Sequence, residues 1–245
     1  MNIRFIRLAG FLVPFLSFSW PKRQRLKKLA ATDPKESFRL ASQDVGNACR
    51  KMLDICGTEL EVDGVENIPD EPVLFVGNHN SYFDIVVTAA TIPKGTGYVG
   101  KDSLKKIPGI KGWMDLLHCL YLDRSDIKKG LEMIKEGINN ILSGYSMCIY
   151  PEGTRSKTGE LGEFKGGALK MAQRSDCPIV PVACSGTRDI FENNKNLRIM
   201  PAHVRISYGE PFRISELPKD QRRFAAKYTR EQLISLLEKH HKEDI

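Results

Sequence analysis

No run of about twenty apolar residues, the length a helix needs to cross a bilayer, occurs in this chain of 245 residues. The most apolar stretch, Ala9 to Trp20, is only a dozen residues long and has Pro14 in its middle. Internal repeats and low-complexity tracts are absent, and the 13 prolines and 20 glycines are scattered, which argues against disorder. The six cysteines, Cys49, Cys56, Cys119, Cys148, Cys177 and Cys184, show no pair at metal-ligand spacing. Most lie in apolar runs, where a free cysteine behaves as a small buried hydrophobe, a usage that favours a reducing compartment such as the cytosol. No His/Cys/Asp/Glu cluster has ligand spacing, so no metal is expected. A Walker A sequence and a G-x-S-x-G elbow are both missing, against a P-loop enzyme and a serine hydrolase. Gly95 to Gly100 matches G-x-G-x-x-G, but Pro93 and Lys94 precede it and Tyr98-Val-Gly reads as strand, the wrong context for a dinucleotide site.

What is present is the composition of an ordinary folded protein, 41% hydrophobic and 27% charged, with a single compact domain carrying an N-terminal attachment as the default. A net charge of +7 suggests an anionic partner: nucleic acid, an anionic membrane or a phosphorylated substrate. Nucleic acid is disfavoured, because basic residues interleaved with aromatics on a recognisable module are not found. Lys22, Arg23, Arg25, Lys27 and Lys28 instead follow directly on the Ala9–Trp20 stretch. Arg4 and Arg7 before it imitate a signal peptide, yet no small-x-small site precedes the basic run, which holds a chain on the cytoplasmic side. From about Glu36 to Cys56, Phe38, Ala41, Val45, Cys49, Met52, Leu53 and Cys56 recur at helical steps, giving one apolar stripe. Residues 1–56 are thus expected to form a two-helix membrane-association motif, peripheral or monotopic on the cytoplasmic face. Its first helix dips into lipid beside a basic collar; the alternative is that this helix packs on the domain.

From residue 58 onward, short apolar runs alternate with helical patterns, so residues 57–245 read as α/β with a mostly parallel central sheet flanked by helices. Asp126 to Leu142 is the clearest helix, with Ile127, Leu131, Ile134, Ile138 and Ile141 in step and Ser125 as N-cap. Near the C-terminus, Phe224, Tyr228, Leu233 and Leu237 mark the inner face of a helix whose charged residues are solvated. Four strand-like runs end in polar groups. Val73–Gly77 leads to Asn78 and His79, Tyr98–Gly100 to Lys101, Cys119–Leu122 to Asp123 and Arg124, and Met147–Tyr150 to Pro151, Glu152, Gly153, Thr154 and Arg155. In a parallel sheet with right-handed crossovers these ends share one edge, where ligands bind.

Residue type suggests the chemistry. With His79 ending a strand and Asp84 in the first turn of the next helix, the carboxylate holds one ring nitrogen and leaves the other to accept a proton. Lys101, Arg124 and Arg155, with backbone N–H groups exposed by Gly153 and Thr154, suit a phosphomonoester. The competing readings are helix capping around Asn80 and Ser81 and ordinary surface ion pairs.

Laid out in order, these segments resemble the glycerolipid acyltransferases, in particular the bacterial 1-acyl-sn-glycerol-3-phosphate acyltransferases. Asn78-His-Asn-Ser-Tyr-Phe-Asp84 looks like the N-H-x-S-x-x-D block. Lys101 to Leu104, Pro108, Gly112 and Leu122-Asp-Arg124 resemble the second block, Tyr150-Pro-Glu-Gly-Thr-Arg-Ser156 the third, and Ile179-Val-Pro-Val182 the fourth. Phe164-Lys-Gly-Gly167 matches the F-K-x-G element. The likeness spans roughly residues 60–210. Departures are Tyr121 and Tyr150 for phenylalanine and His118 where a glycine is common.

The resemblance implies a lysophosphatidate-like acceptor at the membrane, acyl-CoA or acyl-carrier protein as co-substrate, and no further cofactor. In it His79 is the base for the sn-2 hydroxyl, Asp84 orients the ring, and N–H groups at the following helix start meet the oxyanion. Arg124, Arg155 and Lys101 hold the phosphate, while Glu152 positions the arginines or a glycerol hydroxyl. Glycerol-3-phosphate or another lysolipid as acceptor, or hydrolysis of the thioester, are the alternatives. A double displacement through Cys148 is the other route.

Overall fold

The computed structural model describes residues 1–107, 109–123, 126–165 and 167–243. Seven strands form one sheet: β1 (Glu59–Asp63), β2 (Leu74–Gly77), β3 (Gly97–Lys101), β4 (Leu120–Leu122), β5 (Met147–Ile149), β6 (Ile179–Ser185) and β7 (His203–Tyr208). Their spatial order is β1-β7-β6-β2-β5-β3-β4. The five strands from β6 to β4 run parallel; β7 lies antiparallel to β6 and carries β1 parallel to itself. The expected mostly parallel α/β sheet is therefore present.

Period-two alternation divides the core. In and just before β2, Val73 and Phe75 face one cluster and Leu74 and Val76 the other, as successive strand residues must. The first face is covered by α3 (Pro34–Cys56), α4 (Phe83–Thr91) and α5 (Ile110–Leu116), through Phe38, Val87 and Trp113. The second is covered by α6 (Ile127–Leu142), α7 (Lys170–Ser175) and α10 (Ala225–Glu243), through Ile141, Met171 and Leu233. Burial on both faces explains why these strands read as unbroken apolar runs. A short α8 (Thr187–Ile190) follows β6, and α9 (Lys219–Arg222) precedes α10.

The N-terminus departs from expectation in having three helices. After α1 (Ile3–Phe18), the basic run itself folds as α2 (Trp20–Ala30), turned by 48° at Ser19. Pro21 in its first turn and Lys27 and Lys28 in its last favour that helix by preset φ and by the macrodipole. α3 matches its expected stripe but begins two residues early, at Pro34, under an Asp33 cap that accepts from the Glu36 N–H. Its residues Phe38, Ala41, Cys49 and Leu53 belong to the same core cluster as Phe75.

The alternative reading of α1, packing on the domain, holds for one side of the helix. Phe15 stacks on Trp113 at 5.4 Å and Leu8 and Leu16 pack on the core, while Ile3, Ile6, Val13, Phe18 and Trp20 stay exposed. Arg23 is not part of an exposed collar. It is buried, donates to the Leu16 carbonyl and Ser19 Oγ, and lies 6.0 Å from the Trp113 ring centroid. Among the described residues no single helix is long and apolar enough to cross a membrane, although α1 and α2 together, bent as they are, meet that length and composition.

Two further expectations change. The cap of α6 is Asp126, whose side chain accepts from the Lys128 and Lys129 N–H groups; Ser125 lies outside the described residues. The stripe of α6 is buried only toward its end, leaving Ile127 and Leu131 exposed. In the C-terminal helix Leu233 is buried and Tyr228 and Leu237 pack on the second cluster, but Phe224 precedes the helix and is half exposed.

Candidate active site

The carboxyl end of β2 is anchored before any chemistry begins. The buried Asn78 carboxamide donates to the Cys184 carbonyl and accepts from the Cys184 N–H, both at 2.8 Å. That pair extends the hold of β6 on β2 past the last ladder rung and sets the backbone direction into His79.

His79 Nδ1 donates to Asp84 Oδ2 at 2.8 Å, the ring being 17% exposed and the carboxylate fully buried. With the proton on Nδ1, Nε2 carries the lone pair. Tyr150 stacks on the imidazole at 4.4 Å and 22°. The backbone of His79 is clamped by the β5 loop: its N–H donates to Glu152 Oε1 at 2.7 Å, and its carbonyl accepts from the Ser156 N–H at 2.7 Å. Glu152 Oε2 takes the Gly162 N–H at 3.0 Å. Glu152 thus stands under His79, and among the described residues its bonds go to backbone N–H groups rather than to an arginine. Burial pushes its carboxyl above the usual range, against which the two N–H donors act.

The helix start cannot serve an oxyanion as expected, because its N–H groups are occupied. Those of Asn80 and Ser81 donate to Asp84 Oδ2 at 2.6 and 2.7 Å, that of Tyr82 to Glu192 Oε1, and that of Phe83 to Ser81 Oγ. Ser81 Oγ in turn donates to Glu192 Oε2 at 2.7 Å. On the far side, Thr187 Oγ1 donates to Asp84 Oδ1 at 2.6 Å.

Of the basic residues, Arg155 lies beside this group: its guanidinium sits 3.6 Å over the Tyr82 ring and donates to Glu192 Oε1 at 3.2 Å. Lys101 ends β3 and is exposed. Arg124 lies outside the described residues. Gly153 has φ +69, and a Cβ there would stand 2.9 Å from Lys165 Nζ; Thr154 next to it is exposed. The structure therefore brings His79, Asp84, Glu152, Gly153 and Arg155 together and adds Lys165, Tyr150, Thr187 and Glu192. Lys165 carried a signal within Phe164–Gly167. Thr187 lies 103 residues from Asp84, and Glu192 lies 111 from Ser81 and 37 from Arg155, and neither carried a signal.

The family model described as Acyltransferase matches residues 59–185. The chain belongs to the acyltransferase family. All five motif segments noted above fall inside the matched residues. Similar proteins are the 1-acyl-sn-glycerol-3-phosphate acyltransferase of Saccharomyces cerevisiae, 32% identical over 76% of this chain and 62% of that protein, and the probable enzyme of that name in Mycoplasma pneumoniae, 32% identical over 60% and 57%. The chloroplastic LPAT1 of Arabidopsis thaliana, a 1-acyl-sn-glycerol-3-phosphate acyltransferase, is 32% identical over 62% of this chain and 43% of its own. The alignments thus span 43% to 62% of these relatives' lengths. The crystal structure of the 1-acyl-sn-glycerophosphate (LPA) acyltransferase PlsC from Thermotoga maritima superposes with a TM-score of 0.84 at 21% identity, over 98% of this chain and 95% of that one; it shows the shared fold.

Two departures from the family pattern acquire reasons. His118, where the family pattern commonly has a glycine, stands at φ +53, in the left-handed region that favours glycine, and its imidazole stacks on Tyr145 at 4.1 Å. Tyr150 keeps a ring against His79 and places its hydroxyl 3.4 Å from Thr88 Oγ1 inside the core. Cys148 is buried in β5, its thiol pushed up by burial, which disfavours it as an acyl carrier.

Proposed function

We propose that this protein transfers a fatty acyl chain from a thioester, acyl-CoA or acyl-carrier protein, to the sn-2 hydroxyl of 1-acyl-sn-glycerol-3-phosphate, giving phosphatidic acid. The observation that carries the reading is the His79–Asp84 pair, 2.8 Å apart at a sheet edge that also bears basic side chains. An alcohol is a poor nucleophile at neutral pH, so His79 Nε2 takes its proton as the oxygen attacks the thioester carbonyl, and Asp84 stabilises the imidazolium. The tetrahedral intermediate collapses with departure of the thiolate, which takes the proton from His79. Arg155, Lys101 and Lys165, with Arg124, meet the phosphate, for which an arginine fork is suited. No metal or further cofactor enters this scheme.

The lipid substrate requires a membrane seat. Exposed Ile3, Ile6, Val13, Phe18 and Trp20 enter the interface while exposed Arg25, Lys27 and Lys28 meet anionic headgroups on the cytoplasmic face.

Thiol release from a long-chain acyl-CoA, with and without lysophosphatidate, tests the reading. Acceptor-dependent release, abolished in His79→Ala, is expected. Release without acceptor identifies a hydrolase, and release only with glycerol-3-phosphate or another lysolipid reassigns the acceptor.

A further inference from the structure

Asp84 is the least accessible charged group of the site, and its two oxygens are treated differently. Oδ2 collects His79 Nδ1–H and the Asn80 and Ser81 N–H groups. Among the described residues, the donor to Oδ1 is Thr187 Oγ1, at 2.6 Å, with both residues no more than 1% exposed. An ionised carboxylate only accepts, so the Thr187 hydroxyl must donate. The backbone is built to deliver it: Gly186, at φ +78, turns the chain out of β6 where a Cβ would meet the His203 carbonyl at 2.0 Å.

We propose that Thr187 is a positioning residue for the reaction, the third member of a His79–Asp84–Thr187 relay. Its hydroxyl fixes the rotation of the Asp84 carboxylate and hence the plane and tautomer of the His79 ring. This rests on His79 acting as the base in acyl transfer. A carboxylate held by Oδ2 alone would still pair with His79 but would rotate about its last bond, and a ring misplaced by a fraction of an ångström loses rate rather than binding.

Full-length Thr187→Val and Thr187→Ser are compared with wild type in acyl transfer from a long-chain acyl-CoA to lysophosphatidate across pH, and their histidine rings are titrated by NMR without substrate. The expected result for Thr187→Val is a kcat lower by about tenfold to a hundredfold, the range in which outer partners of a functional imidazole act, with KM for both substrates within about twofold. Thr187→Ser restores the rate. Because Asp84 without this donor is a stronger acceptor toward His79, the His79 titration and the acid limb of kcat/KM move to higher pH in Thr187→Val. Cys148, Tyr150, Glu152 and Cys184, which sense the Asp84 charge, are common to every variant, as are Glu192 and Arg155. Wild-type kcat and titration in Thr187→Val overturn the proposal, and so does equal loss in Val and Ser variants. If Thr187→Val does not fold, Thr187→Ala against Thr187→Ser must show the same order. If wild type transfers nothing to lysophosphatidate, the acceptor reading fails, and the NMR titration, which needs no substrate, still decides Thr187.

Discussion

Asp84 accepts from four donors while fully buried, and Glu152 accepts from two backbone N–H groups on either side of it. These carboxylates hold the histidine from its ring and from its backbone. Glu152→Gln has one oxygen where two acceptors are needed, so an N–H of His79 or Gly162 loses its partner. That costs about 1–3 kcal/mol, read as a lower thermal midpoint, together with reduced turnover. The pH dependence has a definite sign. A carboxyl whose folded pKa is raised contributes stability that is complete below the unfolded value and is lost as pH rises through the folded one. The deficit of Glu152→Gln against wild type is therefore larger in acid than at neutral pH, checked by denaturant midpoints of both proteins. His118 offers a second residue-scale test. His118→Ala keeps the left-handed backbone and loses the Tyr145 stack, lowering stability by about 0.5–1.5 kcal/mol, whereas His118→Gly loses the stack but relieves the strain. Thermal midpoints should rank His118→Gly above His118→Ala.

At the scale of elements, α1 has a packed side and an exposed side. Phe15 and Leu16 hold it against α5 and the core, and Arg23 braces the bend into α2 through the Leu16 carbonyl. Phe18, the last residue of α1, and Trp20, the first of α2, are 82% and 59% exposed. Phe18→Ser with Trp20→Ser is expected to leave the thermal midpoint nearly unchanged, since exposed substitutions fall within about 0.5 kcal/mol. Binding to anionic vesicles, measured by sedimentation, should fall severalfold. Unchanged vesicle binding would remove the α1–α2 bend as the membrane seat.

Over the whole molecule, the site depends on the return of the chain after β6. Thr187 reaches Asp84, Arg188 donates to the Ser156 and Lys157 carbonyls, and Glu192 joins Ser81, Tyr82 and Arg155. One short segment thereby ties the β2 loop to the β5 loop. Gly186→Ala, which strains a φ of +78 and puts a Cβ 2.0 Å from the His203 carbonyl, should displace that segment. Turnover and thermal stability would then fall together, unlike the rate loss alone expected of Thr187→Val.

What the sequence determined by itself was local or periodic. His79 and Asp84 stand five residues apart across a strand-to-helix turn, so their pairing follows from short-range geometry. The apolar runs ending at His79, Lys101 and Glu152 announce a parallel sheet because crossover connections leave all such ends on one edge. The strand order, the antiparallel β7, the burial of Arg23 inside a basic run and the backbone duty of Glu152 were decided by the tertiary structure. So were Thr187 and Glu192, for the same physical reason. Each depends on which distant donor or acceptor a group meets once it leaves water, and that choice is made by packing rather than by spacing along the chain.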